Sequence, residues 1–229
     1  MKMRLLTVLA VVILALLSIE PANAITVTSS GTWGNTTGTA TVTGEGTDTI
    51  SWGTSTGSGQ SSWVFTGNGG VFINNAAIDG SQFILGGFTH NNNPILNYNF
   101  TGADLTLNLD IVNGSIFNQN FTFQFSHNET PNAPPCSPSG ATVCPDVVSI
   151  PLATALETVT IYGNTYALTI DGFQSGGSIV SEFITEEGQA NVATLYGSLN
   201  RVSVPEPATL ILLGSALAGL GLVRGRFKG

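Results

Sequence analysis

Positively charged side chains are almost absent from the middle of this 229-residue sequence. Of its six Lys and Arg residues, only Arg201 lies within residues 25–203, where twelve Asp and Glu residues occur. One cation against twelve acidic groups gives this stretch a net charge of −11 with His neutral. Such a field opposes binding to nucleic acid or to an anionic membrane surface, so we expect no nucleic-acid partner.

Motifs of known enzyme centres are also scarce. The sequence contains no His-Glu-x-x-His motif, and no pair of carboxylates stands out as a glycosidase centre. We therefore expect a protein that is not an enzyme, with a polysaccharide-active enzyme as an alternative.

The first 24 residues have the pattern of a secretory signal peptide. Lys2 and Arg4 precede an apolar run over residues 5–17, and Ala22 and Ala24 occupy the positions that a signal peptidase reads. Cleavage after Ala24 is predicted. We expect residues 1–24 to form a signal helix that directs export. A retained N-terminal anchor is the alternative.

The chain has two cysteines, Cys136 and Cys144, separated by a short stretch rich in Pro and Ser. Export places them in an oxidising compartment, which predicts a disulfide between them. Closing so short a loop contributes about 2–3 kcal/mol in the chain-entropy model. Reactive or metal-binding thiols are the alternative, although two cysteines alone do not complete a zinc site.

The last part of the chain combines a proline-bounded hinge, an apolar run and a basic end. Residues 208–223 carry no charge and would span about 24 Å as a helix, slightly less than a hydrocarbon core of about 30 Å. The basic residues Arg224, Arg226 and Lys228 follow it and favour a cytoplasmic location for this end. A plain transmembrane anchor is one interpretation.

The hinge gives a sharper interpretation. Val204-Pro205-Glu206-Pro207, the apolar run and the basic end together resemble the PEP-CTERM sorting signal of Gram-negative bacteria. The resemblance implies that an exosortase recognises Pro205, Glu206 and Pro207 and cuts near them. Residues 204–229 would then anchor the protein in the inner membrane transiently, before it reaches the cell surface or extracellular matrix.

Residues 25–203 have the length of one domain, and apolar residues alternate with polar ones along them. The clearest alternation places Leu105, Leu107, Leu109 and Ile111 on one face, and Phe121, Phe123 and Phe125 on another. Further strands are predicted at 25–28, 39–43, 47–52, 62–66, 82–88, 95–100, 158–162, 165–170, 178–185 and 191–199. A hairpin turn is predicted at Gly163–Asn164, and 126–145 reads as irregular. The pattern predicts an all-β, two-sheet antiparallel sandwich, jelly-roll-like in its connections.

The segment Thr89-His90-Asn91-Asn92 resembles the defining motif of the THxN family of PEP-CTERM proteins. This resemblance implies no activity. The residue types alone favour a polar corner between a strand and a loop, in which Thr89, His90 and Asn92 hydrogen-bond to the backbone. Ligand binding by His90 is the alternative.

A second polar cluster follows strand Phe121–Phe125 and contains the other histidine of the chain. If this loop folds beside the first motif, His90, His127, Glu129 and Asp146 would converge, and His and carboxylate are suitable metal ligands. Their spacing matches no metal motif, so no cofactor is expected. The acidic composition leaves calcium as an alternative.

Together these features predict an exported surface or matrix protein with a structural or adhesive role. The PEP-CTERM resemblance implies a link to exopolysaccharide and biofilm. A lectin-like module that stacks sugars on Trp33, Trp52 or Trp63 is the first alternative, although such rings more often belong to the core.

Overall fold

The computed structural model describes residues 24–74, 78–112, 116–130, 144–150 and 154–202. These residues form strands, turns and bends, with no helix among them. The described part of the chain thus offers no helix of the length and apolarity that a membrane crossing needs. The predicted signal helix and C-terminal helix lie outside the described residues, apart from Ala24.

Sixteen strands follow one another within these described ranges. They are β1 Ala24–Gly38, β2 Val42–Thr43, β3 Thr49–Trp52, β4 Thr54–Ser55, β5 Ser61–Gly67, β6 Val71–Asn74, β7 Gln82–Asn92, β8 Ile95–Leu96, β9 Phe100–Val112, β10 Ile116–Asn128, β11 Asp146–Ser149, β12 Thr154–Ile161, β13 Asn164–Ser175, β14 Ser178–Val180, β15 Glu182–Thr185 and β16 Gln189–Arg201.

Two curled antiparallel sheets contain almost all of these strands. The six-stranded sheet has the order β15-β11-β10-β9-β1-β6. The eight-stranded sheet has the order β12-β13-β16-β7-β5-β3-β2, and β14 pairs with β13. A small third sheet joins β4 and β8. The prediction of an all-β, sandwich-like fold is therefore confirmed, while the jelly-roll connection stays a prediction.

The core forms where the apolar faces of the two sheets meet. The alternating residues of β9 and β10 are buried as predicted, because every second side chain of a strand points to the same face. Aromatic rings from both sheets fill the centre: Trp33 of β1 contacts Trp63 of β5 with ring centroids 5.2 Å apart. Small residues allow this packing. A Cβ added to Gly31 of β1 would lie 2.6 Å from the ring of Phe65.

Several strand boundaries differ from the predictions. The predicted strand 178–185 is two strands in different sheets, because β14 pairs with β13 and β15 pairs with β11. The predicted irregular segment 126–145 begins inside β10, which continues to Asn128, and it ends near β11. Strands β4, β6 and β11 were not predicted, since strands of two to four residues present too few side chains to produce a clear alternation.

The hairpin between β12 and β13 is correct in kind but wrong by one residue. Ile161 pairs with Asn164, so the two-residue loop is Tyr162–Gly163 and not Gly163–Asn164. Both loop residues have positive φ, 49° for Tyr162 and 76° for Gly163. Two positive φ values are characteristic of the type I′ turn that matches the twist of paired strands.

Candidate functional site

Three of the four residues predicted to converge meet in the interior of the sandwich. His90 lies on β7 of the eight-stranded sheet, whereas His127 on β10 and Asp146 on β11 belong to the six-stranded sheet. One ligand atom from each lies within 4.8 Å of the other two. All three residues are buried, so the cluster, here called the His-His-Asp cluster, joins the two sheets through the core.

The hydrogen bond of His127 determines which of its ring nitrogens carries the proton. Its Nδ1 lies 3.2 Å from the backbone carbonyl oxygen of Phe100. A carbonyl oxygen only accepts, so Nδ1 donates a proton to it. In the neutral ring the lone pair is then on Nε2, which has no hydrogen-bond partner and lies 3.5 Å from Oδ2 of Asp146.

His90 is oriented in the same way by Thr185 of β15. The Thr185 hydroxyl donates to the backbone carbonyl of Asp146 at 3.3 Å, so its oxygen accepts from Nδ1 of His90 at 2.9 Å. Nε2 of His90 is left buried and without a partner. Burial, and secondarily the nearby His127, lowers the pKa of His90 well below its usual range, so the ring is neutral near pH 7.

The carboxylate of Asp146 has one oxygen occupied and one free. Oδ1 accepts from the Thr130 backbone N–H at 2.8 Å and from the Thr130 hydroxyl at 3.3 Å. Oδ2 is buried without a hydrogen-bond partner. The three atoms of the cluster that are left without a hydrogen-bond partner are thus two imidazole nitrogens and one carboxylate oxygen, each on a side chain that another hydrogen bond orients.

Two further carboxylates lie near the cluster. Oε2 of Glu129 is 4.0 Å from Nδ1 of His127, the ring nitrogen that does not face Asp146. Burial, followed by the charges of Asp146 and Glu187, raises the pKa of Glu129 to about 8. Burial and the charge of Asp146 raise the pKa of Glu187 to about 7. Trp52 lies near Glu129 and Asn92 lies near Glu187, and each partly opposes the increase in the pKa of its neighbour. Neither contact has the geometry of a full hydrogen bond.

Aromatic rings surround the cluster and exclude water from it. Trp52 stacks on His90 with centroids 5.6 Å apart and on Phe100 at 4.2 Å. Trp63 meets His127 edge to face at 5.6 Å. Trp33, Trp52 and Trp63 are at most 1% exposed, so they are core residues and offer no surface on which sugars could stack.

The Thr-His-x-Asn segment lies inside β7, which corrects its predicted placement at a corner between strand and loop. Thr89 pairs with Val64 and Val192 of the neighbouring strands, so both sides of the segment are bonded within the sheet. The predicted contact to the backbone does occur for Asn92, whose side-chain amide donates to the carbonyl of Thr185 at 3.0 Å.

Sequence reasoning missed Thr130, Thr185 and Glu187, which orient or surround the cluster. Thr130 and Thr185 are buried polar residues, and threonine is so frequent in this chain that neither was distinctive. Glu187 lies in the turn before β16 and has no sequence signal of its own.

A serine pattern typical of hydrolases, Gly53-Thr54-Ser55-Thr56-Gly57, also occurs in the chain. A nucleophile elbow requires a turn from a strand into a helix. Here Ser55 ends the two-residue strand β4, and bends follow it. Its hydroxyl oxygen accepts the N–H groups of Gly57 and Gly59, which makes it a turn residue.

The remaining predicted sites lie wholly or partly outside the described residues. Cys144 is buried and disulfide-bonded, but Cys136 is outside them, so the pairing of these two stays a prediction. Ala24 is the exposed first residue of β1, and Ala22 is outside. The predicted sorting residues Pro205, Glu206 and Pro207 are outside as well.

Comparison with known proteins identifies the end of the chain. Residues 203–226 match the family model of the PEP-CTERM protein-sorting motif. The motif implies recognition by an exosortase, export and sorting to the cell surface. No curated protein matches the chain. The match concerns the sorting segment alone, and the THxN resemblance of the middle stays a prediction.

Proposed function

We propose that this protein is a non-enzymatic structural or adhesive component of the surface or matrix of a Gram-negative bacterium, in contact with exopolysaccharide. The observation that carries the proposal is the sorting motif at residues 203–226, which begins just after β16 ends at Arg201. An exosortase would therefore deliver a folded β-sheet body to the outside of the cell.

The outer face of β9 and β10 supports contact with a hydrated polymer. Its side chains form a ladder of amides and hydroxyls that also includes the carboxylate of Asp110, here called the amide face. The Asn108 amide donates to Asn118 at 2.9 Å and to Asn120 at 2.7 Å, and Thr106 meets Thr122 at 3.4 Å. These groups both donate and accept hydrogen bonds, as sugar hydroxyls do.

Sedimentation with insoluble polysaccharides tests the contact. We expect the protein to sediment with neutral cellulose or chitin and not with acidic alginate, because like charges repel. Thr122→Glu should weaken sedimentation, since it adds a further negative charge at the centre of the amide face and removes a hydroxyl from it. Thr160→Glu on the exposed side of β12 is the matched control and should have no effect. Equal binding by both variants would count against the amide face as the contact surface.

Mass spectrometry of the C-terminus tests the sorting step. Co-expression with an exosortase should give a mature chain that ends before Ala208, and Glu206→Ala should leave the tail in place. An intact tail in the presence of active exosortase would contradict the sorting.

A second candidate function is carbohydrate binding at an open groove of about 790 Å³. Tyr98, which is 53% exposed, lines it together with Thr54, Gln60, Asn97 and Asn99. An exposed aromatic ring among amides and hydroxyls is the chemistry that stacks and hydrogen-bonds a sugar.

A glycan array tests this groove directly. Tyr98→Ala should abolish any binding, whereas Tyr162→Ala, which removes an exposed tyrosine from the β12–β13 turn, should leave it intact. Equal loss in both variants, or no binding at all, would remove this candidate.

A further inference from the structure

Asp146 is a buried carboxylate in a region that has almost no basic side chains. It is fully buried, and Arg201, the single Lys or Arg within residues 25–203, is exposed at the end of β16. A buried charge is tolerated when it is paired or when it coordinates a metal ion. The Asp146 carboxylate therefore requires a cation from outside the chain, or a proton shared with His127.

The spacing of two of the three ligand atoms matches that of metal ligands, and the third lies within 4.8 Å of both. Two ligands of one tetrahedral Zn²⁺, each about 2.0–2.1 Å from the ion, lie roughly 3.3–3.4 Å apart. Nε2 of His127 and Oδ2 of Asp146 are 3.5 Å apart. Both atoms, and Nε2 of His90, are buried without hydrogen-bond partners.

The supporting hydrogen bonds have the arrangement found around metal ligands. A metal-bound histidine usually donates its other ring N–H to a protein acceptor, which fixes the tautomer. Here His127 donates to the Phe100 carbonyl and His90 donates to Thr185. Thr130 holds the other oxygen of Asp146.

We propose that His90 Nε2, His127 Nε2 and Asp146 Oδ2 bind one divalent transition-metal ion of the Zn²⁺ type. Two imidazoles suit Zn²⁺ and its transition-metal neighbours, whereas Ca²⁺ and Mg²⁺ take oxygen ligands. The proposal goes beyond the surface role and does not depend on sorting or on polysaccharide contact.

The ion has a structural role, because its ligands come from both sheets and none is open to bulk solvent. His90 lies in the eight-stranded sheet, and the other two ligands lie in the six-stranded sheet. The ion therefore acts as a tie across the sandwich, and the affinity for the metal adds to the stability of the fold.

Metal analysis of the full chain tests the proposal. The protein is purified in detergent with a tag free of histidine, so that the two native histidines are the only imidazoles present. We expect about one equivalent of transition metal by elemental mass spectrometry. After chelation, Co²⁺ should bind at one equivalent and give the visible absorption of a low-coordinate nitrogen–oxygen site.

Variants locate the ion. Asp146→Asn and His90→Gln should each lose the metal, whereas Asp48→Asn, which changes an exposed carboxylate, should retain it. Thr185→Val leaves all three ligands in place but removes the acceptor for His90. It should weaken Zn²⁺ affinity about 10–100-fold in competition with a chelating dye.

Three results would overturn the proposal. The first is wild-type protein that neither retains a transition metal nor takes up Co²⁺ or Zn²⁺ after chelation, which would assign the cluster to a proton shared between His127 and Asp146. The second is metal binding that Asp146→Asn leaves intact. The third is a folded Thr185→Val protein whose affinity for Zn²⁺ is unchanged. This third result decides the question if the variants of the ligand residues do not fold.

Discussion

The ring of His90 and the hydroxyl of Thr185 form a hydrogen bond of 2.9 Å between the two sheets. His90 belongs to β7, and Thr185 ends β15, the edge strand of the six-stranded sheet. Asn92, two residues further along β7, donates to the backbone carbonyl of the same threonine. The Thr-His-x-Asn segment therefore holds an edge strand of the opposite sheet by two bonds to one residue.

Removing one of these bonds should destabilise the protein. Asn92→Ala leaves the Thr185 carbonyl without its donor inside the core, and an unsatisfied buried group costs about 1–3 kcal/mol. Urea unfolding monitored by tryptophan fluorescence measures the loss. Asn99→Ala removes an exposed amide bond to Thr39 and should change stability by less than about 0.5 kcal/mol. Equal effects of the two changes would contradict the role assigned to Asn92.

A buried tryptophan and an exposed tyrosine should contribute very differently to the stability of the fold. Trp63→Ala removes a fully buried ring and should cost about 3–5 kcal/mol of unfolding free energy. Tyr98→Ala changes an exposed ring and should leave the melting temperature nearly unchanged. Thermal unfolding by circular dichroism compares the two. A stable, folded Trp63→Ala protein would show that the core is not built around this ring.

Metal removal should lower stability, and added metal should restore it by an amount that grows with the logarithm of the free metal concentration. A ligand that binds only the folded chain stabilises it by about 2.7 kcal/mol at a free concentration of 100 times Kd. Adding Zn²⁺ to the chelated protein should therefore raise the melting temperature progressively with concentration. Asp146→Asn should lack this response, since it removes a ligand. A rise of the same size in that variant would place the stabilising ion elsewhere.

The chelated protein should lose stability as the pH rises from 6.5 to 8. The pKa of Glu129 is about 8 and that of Glu187 about 7 when folded, against an ordinary carboxyl value of 4.5 in the unfolded chain. In this window the folded carboxyls hold protons that the unfolded chain has already released, so raising the pH favours unfolding. Burial lowers the pKa of His90, which therefore acts in the opposite sense, but only below about 6.5, the ordinary value of an unfolded histidine.

Urea unfolding across this window in the presence of chelator measures the pH dependence. Glu129→Gln should flatten the profile, because the amide has no proton to release. Glu182→Gln, at an exposed position of β15, serves as the control and should keep the wild-type slope. Stability that increases with pH would mean that the two carboxyls ionise freely in the folded chain.

The sequence was sufficient to predict the all-β class and the central strands. Leu105 to Ile111 and Phe121 to Phe125 alternate clearly, because each strand has one face in the core and one in solvent. Short edge strands such as β6 present too few side chains to the core to show this alternation. The division of 178–185 between two sheets was unpredictable, since it depends on which neighbour each half reaches.

The candidate site was predictable in its residue types but not in its geometry. Two histidines in a chain of 229 residues are conspicuous, and their convergence with Glu129 and Asp146 was predicted for the case in which the two segments fold side by side. The placement of His90 within a strand was not. A run of Asn and Thr normally signals a turn, and here tertiary contacts to Thr185 keep it extended.

The position of the final strand would have a mechanical consequence if sorting attaches the protein to the surface by its C-terminus. β16 lies between β13 and β7; it pairs with β7 up to Ser198 and with β13 up to Arg201, close to the start of the sorting segment. Tension applied through the tether would thus load an interior strand, whose many bonds must shear together before it slides. The folded domain would therefore withstand a pulling force better than a domain tethered through an edge strand, whose hydrogen bonds can break one at a time.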